Sequence, residues 1–181
     1  MFLDRFRAGR AEKRVARRLY DAAVAQGRQP ALYARMGAPD TPEGRFEILT
    51  LHVILLIDRL GRDNPDAARL RQALFDVYLS DLDGALREMS VGDLAVGKRM
   101  KRLGQAFYGR ARAYDAAFKA LPDLAKLEGL AGRTVLDGQA GVDPTPLAAY
   151  VARTRESLAA GETAALLAGG VTWPAAAEAA G

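Results

Sequence analysis

The sequence predicts a single-domain, all-α helical bundle of about six or seven helices. Apolar residues recur at three- and four-residue steps through most of the chain, which is the period of an α-helix. Glycine and proline fall between these periodic segments, where they end one helix and begin the next. Half of the 181 residues are hydrophobic, enough to bury one core of ordinary domain size. We expect a basic extension over residues 1–9, a helical domain over 10–174 and a frayed tail over 175–181.

Two helices are predicted ahead of residue 40. The first runs from Ala8 to about Gln26 and ends at Gly27, a residue type that commonly follows a helix. The second is short, over residues 30–36, with a proline in its first turn.

The third helix is predicted over residues 42–60. Thr41 is suited to cap its first turn, and Pro42 is suited to its first position. Two apolar stripes run along this segment, which indicates a helix near the centre of the bundle. Its polar residues form one strip that is expected to face water: Glu43, Glu47, Thr50 and Asp58.

The fourth and fifth helices are predicted over residues 65–89 and 98–121. Two glycines and two valines break the periodicity over residues 90–97, which indicates a structured connection. The fifth helix is clearly amphipathic, with Phe107 and Tyr114 on its apolar side and a basic opposite side. Because these rings lie away from the cations, base stacking of the kind used by single-strand binders is not expected.

The last third of the chain predicts shorter helices. One is expected over residues 124–132, and another begins at Pro146 with Thr145 as its cap. A final short helix over 162–168 precedes an extended segment in which Trp173 is the expected anchor.

Composition excludes several kinds of functional site. The chain has no cysteine, which excludes disulfides, thiolate metal sites and cysteine nucleophiles. Its single histidine cannot supply a histidine-rich metal site or several acid–base partners. Nucleotide-binding and nucleophile-elbow motifs are missing as well. We therefore expect a protein that is not an enzyme and has no catalytic residue, metal or cofactor.

The hydropathy of the chain predicts its location. No apolar run approaches the roughly 20 residues of a membrane span, and the N-terminus is charged from Asp4 onward. We expect a cytoplasmic protein that can meet the inner membrane peripherally.

Positive charge is concentrated at the start of the chain. Residues 1–20 carry a net charge of +5, whereas the whole chain carries +4. Such a block favours anionic surfaces, which include lipid headgroups, RNA or an acidic partner. The residues expected to contact a membrane or a ribosome are Arg5, Arg7, Arg10, Lys13, Arg14, Arg17 and Arg18.

The polar side of the fifth helix is a second basic surface. It is either a solvated face or a contact surface for phosphates or an acidic peptide. The residues assigned to this client or partner surface are Lys98, Lys101, Arg102 and Arg112.

Two polar residues are expected to be structural. His52 is predicted to be half-buried with one hydrogen bond, and a ligand contact or a haem ligand is the alternative. Asp81 interrupts an apolar stripe of the fourth helix and is expected to border the core beside a basic partner. The candidate partners are Lys98, Arg99 and His52. Helical spacing directs Asp76 and Asp83 away from Asp81, which argues against a metal site.

One part of the chain has a distinctive pattern. Phe75-Asp76 is followed by DLDGALREMSVGDL over residues 81–94, VGKRMK over 96–101 and AFYGR over 106–110. Shorter matches lie at residues 19–20, 30–33, 41–46, 51–53, 166–169 and 173–174. Together these segments resemble the ubiquinol–cytochrome c chaperone family over nearly the whole chain. Residues 122–140 match poorly, and Trp173 stands where phenylalanine is expected.

The resemblance implies an assembly factor for the cytochrome bc complex, respiratory complex III, that holds newly made cytochrome b. Mitochondrial relatives act with a partner protein close to the ribosome. The implied partners are therefore nascent cytochrome b, the ribosome or an anionic membrane surface, and a partner protein, with no role for DNA. The family offers no catalytic residues to carry over.

Two other functions stay open on the sequence. One is a basic helical adaptor that binds RNA or the ribosome without a client. The other is a small-molecule or lipid carrier with a pocket between the helices, around His52. An apolar surface groove favours the chaperone, a continuous basic face favours the adaptor, and an enclosed pocket favours the carrier.

Overall fold

The computed structural model describes the backbone of residues 2–61, 65–88 and 93–176, and the side chains of residues 9–61, 67–85, 87 and 100–176. These residues form α1 (Phe2–Gly27), α2 (Pro30–Ala34), α3 (Pro42–Leu60), α4 (Pro65–Glu88), α5 (Asp93–Phe118), α6 (Ala125–Arg133), α7 (Thr145–Ala160) and α8 (Thr163–Leu167). The predicted all-α class is confirmed. Two five-residue helices, α2 and α8, bring the count for the described residues to eight, above the expected six or seven.

A helix that crosses a membrane must be both long and apolar. Within the described ranges, none of the helices combines the two as a membrane crossing requires.

Both ends of α3 follow from the residue types at its boundaries. The Thr41 hydroxyl accepts a hydrogen bond from the Gly44 amide at 3.1 Å, which confirms the predicted cap. At the other end Gly61 has a φ of +70°, a left-handed conformation that glycine adopts without strain. Its amide donates to the Asp58 carbonyl at 3.0 Å and closes the last turn.

Two helices begin earlier than predicted. α1 starts at Phe2, so the backbone of residues 2–9 continues the helix that was expected to begin at Ala8. α5 starts at Asp93, so the part of the predicted connection from Asp93 onward is helical. An aspartate at a helix N-terminus interacts favourably with the helix dipole. Valine and glycine each reduce helix stability by about 1 kcal/mol or less.

The predicted cap of α7 is wrong. Thr145 lies inside the helix, and its amide donates to the Asp143 carboxylate at 2.9 Å. Asp143 therefore provides a hydrogen-bond acceptor for the first turn of α7. Hydrogen bonds from the amide and the side chain of Thr145 hold the pKa of the Asp143 carboxyl below its usual value.

α3 is the central helix, and α1, α4, α5 and α7 all pack against it. The strip predicted to be wet is confirmed only at Glu43, because α4, α5 and α7 cover the rest. Thr50 is buried, donates to the Phe46 carbonyl at 2.7 Å and lies 2.8 Å from the Tyr78 hydroxyl of α4. Thr50 thus has two hydrogen-bond partners inside the protein.

Ion pairs join α3 to α5 and α7. Asp58 accepts from Arg155 of α7 at 2.8 Å. Glu47 receives two hydrogen bonds from Arg110 of α5, one of them at 2.5 Å, and both side chains are mostly buried. Burial raises the pKa of Glu47, and the hydrogen bonds from Arg110 lower it, which leaves it above the ordinary value. A contact made through two parallel hydrogen bonds favours one relative orientation of α3 and α5.

His52 lies in a chain of hydrogen bonds that runs through the interior. Its Nδ1 is 2.7 Å from the Ile48 carbonyl, and its Nε2 is 2.7 Å from the Tyr150 hydroxyl. Because a carbonyl only accepts, Nδ1 carries the proton and Nε2 accepts from Tyr150. Gln26 donates to the same hydroxyl at 3.0 Å and to the Pro174 carbonyl at 3.0 Å. The chain therefore connects α3, α7, α1 and the C-terminal segment.

The prediction of a half-buried His52 with one hydrogen bond is wrong. The side chain is fully buried, and both ring nitrogens are bonded to other groups of the protein. Trp173 packs on it edge-on, with ring centroids 5.3 Å apart, in the anchoring position predicted for it. Burial lowers the pKa of His52 to about 4, so the ring is neutral at pH 7.

The depressed pKa of His52 makes stability depend on pH. Because that pKa is about 4 when folded, against 6.5 for an ordinary histidine, the unfolded chain binds the proton first as pH falls. The stability is complete above about pH 6.5 and is lost towards pH 4, by about 1.4 kcal/mol per pH unit within that window. Urea unfolding of the wild type at a series of pH values measures this slope.

His52→Gln is the matched variant for this measurement. It keeps hydrogen-bonding groups at the site and removes the only histidine of the chain, so its unfolding free energy should fall less steeply between about pH 6.5 and pH 4. Parallel curves for the two proteins would contradict the role given to His52.

The Glu47–Arg110 pair predicts a non-additive mutant cycle. Arg110→Met should destabilise by about 2–3 kcal/mol, because it leaves a mostly buried carboxylate without its cation. Adding Glu47→Leu should recover most of that loss, since two apolar side chains then face each other. Denaturant unfolding of both single variants and the double variant measures the coupling. Additive losses would show that the pair does not position α5.

Candidate functional site

A cleft of about 910 Å³ lies between α1 and α4, and we call it the α1–α4 cleft. Its α4 side carries small residues at helical spacing, which leave room at the surface. Its α1 side carries four cations at positions i, i+3, i+4 and i+7. The small residues are Ala73, Val77, Ser80 and Gly84, and the cations are Arg10, Lys13, Arg14 and Arg17.

The cations of α1 differ in their contacts. Arg17 forms an ion pair with Asp21 at 2.8 Å, and Arg18 donates to the Ala168 carbonyl at 3.4 Å. Arg10, Lys13 and Arg14 are exposed and form no ion pair within the described part of the chain. The side chains of Arg5 and Arg7, also assigned to this surface, lie outside the described residues.

Asp81 lies at the cleft, with partners other than those predicted. It accepts from the Tyr20 hydroxyl at 2.6 Å and lies 3.6 Å from Arg17, because α1 packs over this part of α4. Its side chain is 45% exposed and is bonded to the fully buried Tyr20, so it lies at the border of the core as expected. Burial, followed by this hydrogen bond, raises the pKa of Tyr20. His52 is bonded elsewhere, and the side chains of Lys98 and Arg99 lie outside the described residues.

The three carboxylates of α4 have different partners. Asp76 lines the same cleft as Asp81, whereas Asp83 forms an ion pair with Arg87 at 2.8 Å. Asp76 accepts from Gln72 at 2.8 Å. Within the described ranges, these and other candidate ligands do not gather into a metal-binding cluster.

The second candidate surface is the outer side of α5, which we call the α5 face. It consists of Lys101, Arg102, Tyr108 and Arg112, all of them exposed. The three cations form no ion pair within the described part of the chain, while neighbouring Arg110 is held by Glu47. The side chain of Lys98, assigned to this surface from the sequence, is not among those described.

Tyr108 corrects the expectation that no aromatic ring accompanies these cations. Phe107 and Tyr114 are buried as predicted, but Tyr108 is 54% exposed. It lies seven residues after Lys101 and four before Arg112, which is the same side of a helix. This spacing is a local feature of the sequence, so the position of Tyr108 beside the cations can be predicted from it.

Two glycines flank Tyr108 on this helix. A Cβ atom at Gly104 or Gly109 would meet nothing within 4 Å. Glycine inside a helix reduces stability by about 1 kcal/mol relative to alanine, and no close packing in the fold requires it here. Bare backbone beside an exposed ring lets another molecule approach closely.

The pocket between the helices that was expected around His52 is not observed in the part of the chain that the structure describes. The α1–α4 cleft is open and is lined by α1 and α4, whereas His52 is enclosed by the core with both nitrogens bonded.

Comparison with known proteins shows the family. Residues 34–173 match the model of the family described as Ubiquinol-cytochrome C chaperone. No curated protein matches the chain. The chain is similar to the crystal structure of the Cbp3 homolog from Brucella abortus, with 36% sequence identity and a TM-score of 0.85. The match covers 98% of this chain and 99% of that chain. α5 lies within the family match, while α1 precedes it and is included in the structural likeness. The chain therefore belongs to the ubiquinol–cytochrome c chaperone family, a family of assembly factors rather than enzymes.

Proposed function

We propose that this chaperone holds newly made cytochrome b during assembly of the cytochrome bc complex, and that the α5 face contacts this client. The encounter takes place at the inner face of the membrane, where the client is made. The observation that carries the proposal is the exposure of Tyr108 beside bare helix backbone.

Tyr108 has the features of an interface anchor. Its ring is held from below by Phe75 of α4, with centroids 5.2 Å apart, and by Phe107 at 6.1 Å. A ring held in this way loses little conformational freedom when it is covered. Tyrosine is also among the residues that contribute most to binding at protein interfaces.

The cations of the α5 face surround this anchor. Lys101, Arg102 and Arg112 have no carboxylate partner within the described part of the chain, so an acidic segment of the client or of a partner protein can pair with them. Charges at the edge of an interface mainly speed association and exclude wrong partners.

The same face favours a second candidate, an adaptor that binds RNA or the ribosome. An exposed ring among unpaired cations can stack on a base while the cations contact phosphates. A single ring offers one stacking platform, which limits this contact to nonspecific binding.

Loss of the α5 face should reduce the amount of cytochrome bc complex. In a strain lacking the native protein, Lys101→Glu with Arg102→Glu should restore less complex than the wild type. Tyr108→Ala should weaken client capture about tenfold, equivalent to about 1.4 kcal/mol. Spectra of membrane-bound b- and c-type haems measure the complex, and cytochrome b that co-purifies with the tagged chaperone measures capture.

Arg28→Glu with Lys126→Glu is the matched control, since it makes the same change of charge at exposed positions outside α5. The charge variants should unfold close to the wild-type midpoint, because exposed substitutions usually change stability by about 0.5 kcal/mol or less. Tyr108→Ala also loses the contacts with Phe75 and Phe107 and should be destabilised by about 1 kcal/mol, so its capture is measured well below its unfolding midpoint. Full restoration by the Lys101/Arg102 variant would show that the face is only solvated. Unchanged complex in the deletion strain would refute the assembly role.

A further inference from the structure

We propose that the α1–α4 cleft binds an anionic phospholipid. The phosphate of the headgroup lies among Arg10, Lys13 and Arg14, and an acyl chain lies along the α4 side of the cleft. This site is separate from the α5 face and does not depend on the identity of the client.

The three cations are crowded on one side of α1. Positions i, i+3 and i+4 of a helix have Cβ atoms about 5–6 Å apart, and like charges at that spacing destabilise the helix. Arg17, one turn further on, has Asp21 to offset its charge, whereas these three have no ion pair within the described part of the chain. One phosphate placed among them relieves the repulsion through charge-assisted hydrogen bonds.

The orientation of the two helices separates a charged end of the cleft from an apolar end. Arg69 donates to Glu12 at 2.7 Å and Tyr20 donates to Asp81 at 2.6 Å, so α1 and α4 run parallel. The crowded cations therefore lie beside the first half of α4. The far end of the cleft is lined by Gly84 and Ala85.

The row of small residues on the α4 side of the cleft has the length of an acyl chain and is flanked by Asp76 and Asp81. From Ala73 to Ala85 it extends for about 18 Å at 1.5 Å per residue. One leaflet of the hydrocarbon core, and hence one chain, is about 15 Å thick. A Cβ atom at Gly84 would meet nothing within 4 Å, so the surface is open there.

The carboxylates of α4 do not cancel the positive end. Asp81 is held by Tyr20 and Arg17, and Asp76 accepts from Gln72. Asp76 is thus the one lining carboxylate without a cationic partner in the described residues, against three unpaired cations. The charge balance selects an occupant with an anionic headgroup rather than a neutral or cationic one.

The test uses titration calorimetry with short-chain phosphatidylglycerol below its micelle concentration, phosphatidylcholine of the same chain length, and inorganic phosphate. The wild type should bind phosphatidylglycerol and bind the other two far more weakly. Arg10→Gln, Lys13→Gln and Arg14→Gln together should weaken that binding about a hundredfold, since each cation near an anionic lipid contributes about a factor of five.

Gly84→Leu separates the cleft from simple charge attraction. Leucine there fills the apolar end, leaves every charge in place and favours the helix. It should weaken phosphatidylglycerol binding by about tenfold, because the leucine side chain occupies the part of the cleft in which the acyl chain would be covered. Arg28→Gln with Arg35→Gln and Lys126→Gln is the control for charge and should leave binding unchanged.

Each other outcome refutes the proposal. Equal binding by Gly84→Leu would show attraction by charge alone. Inorganic phosphate that competes at the same concentration would show a free-anion site. A structured RNA that binds through the same three cations more tightly than phosphatidylglycerol, and is unaffected by Gly84→Leu, would assign the surface to nucleic acid.

Discussion

A helix that is packed on every side has no access to water, so each polar group on it must find a partner within the protein. α3 is such a helix. His52 takes its partner from α7, Thr50 from α4 and Glu47 from α5. Apolar contacts alone would allow several arrangements of helices around α3, because hydrophobic packing is not directional. These hydrogen bonds require one arrangement, and leaving any of the groups unpaired would cost about 1–3 kcal/mol.

Local features of this fold could be predicted, and long-range ones could not. The cap at Thr41 and the stop at Gly61 depend on residues within one turn of the helix, where residue type is informative. The environment of the polar strip of α3 could not be predicted, because the sequence does not show whether a polar residue faces water or a partner far along the chain. The partners are 63 residues away for Glu47 and 98 for His52.

The candidate surfaces show the same division. The cations of α1 and α5 could be identified from the sequence, because charge clusters are local. The α1–α4 cleft could not, since its small residues on α4 are more than 50 positions from the cations that oppose them. α4 also links the two surfaces: Phe75 supports Tyr108 of the α5 face, while Val77, two residues on, lines the cleft. A shift of this helix would alter both.

The hydrogen bond from Gln26 to Pro174 spans 148 positions in the chain and has a consequence for synthesis. A ribosome adds roughly 5–20 residues per second, so α1 waits on the order of ten seconds for its partners in α7 and the C-terminal segment. During that time the amide of Gln26 stays in water, and the side of α3 that packs against α7 is uncovered. Until α7 and the C-terminal segment are made, the growing chain is therefore an incomplete bundle in which part of the apolar surface of α3 is exposed.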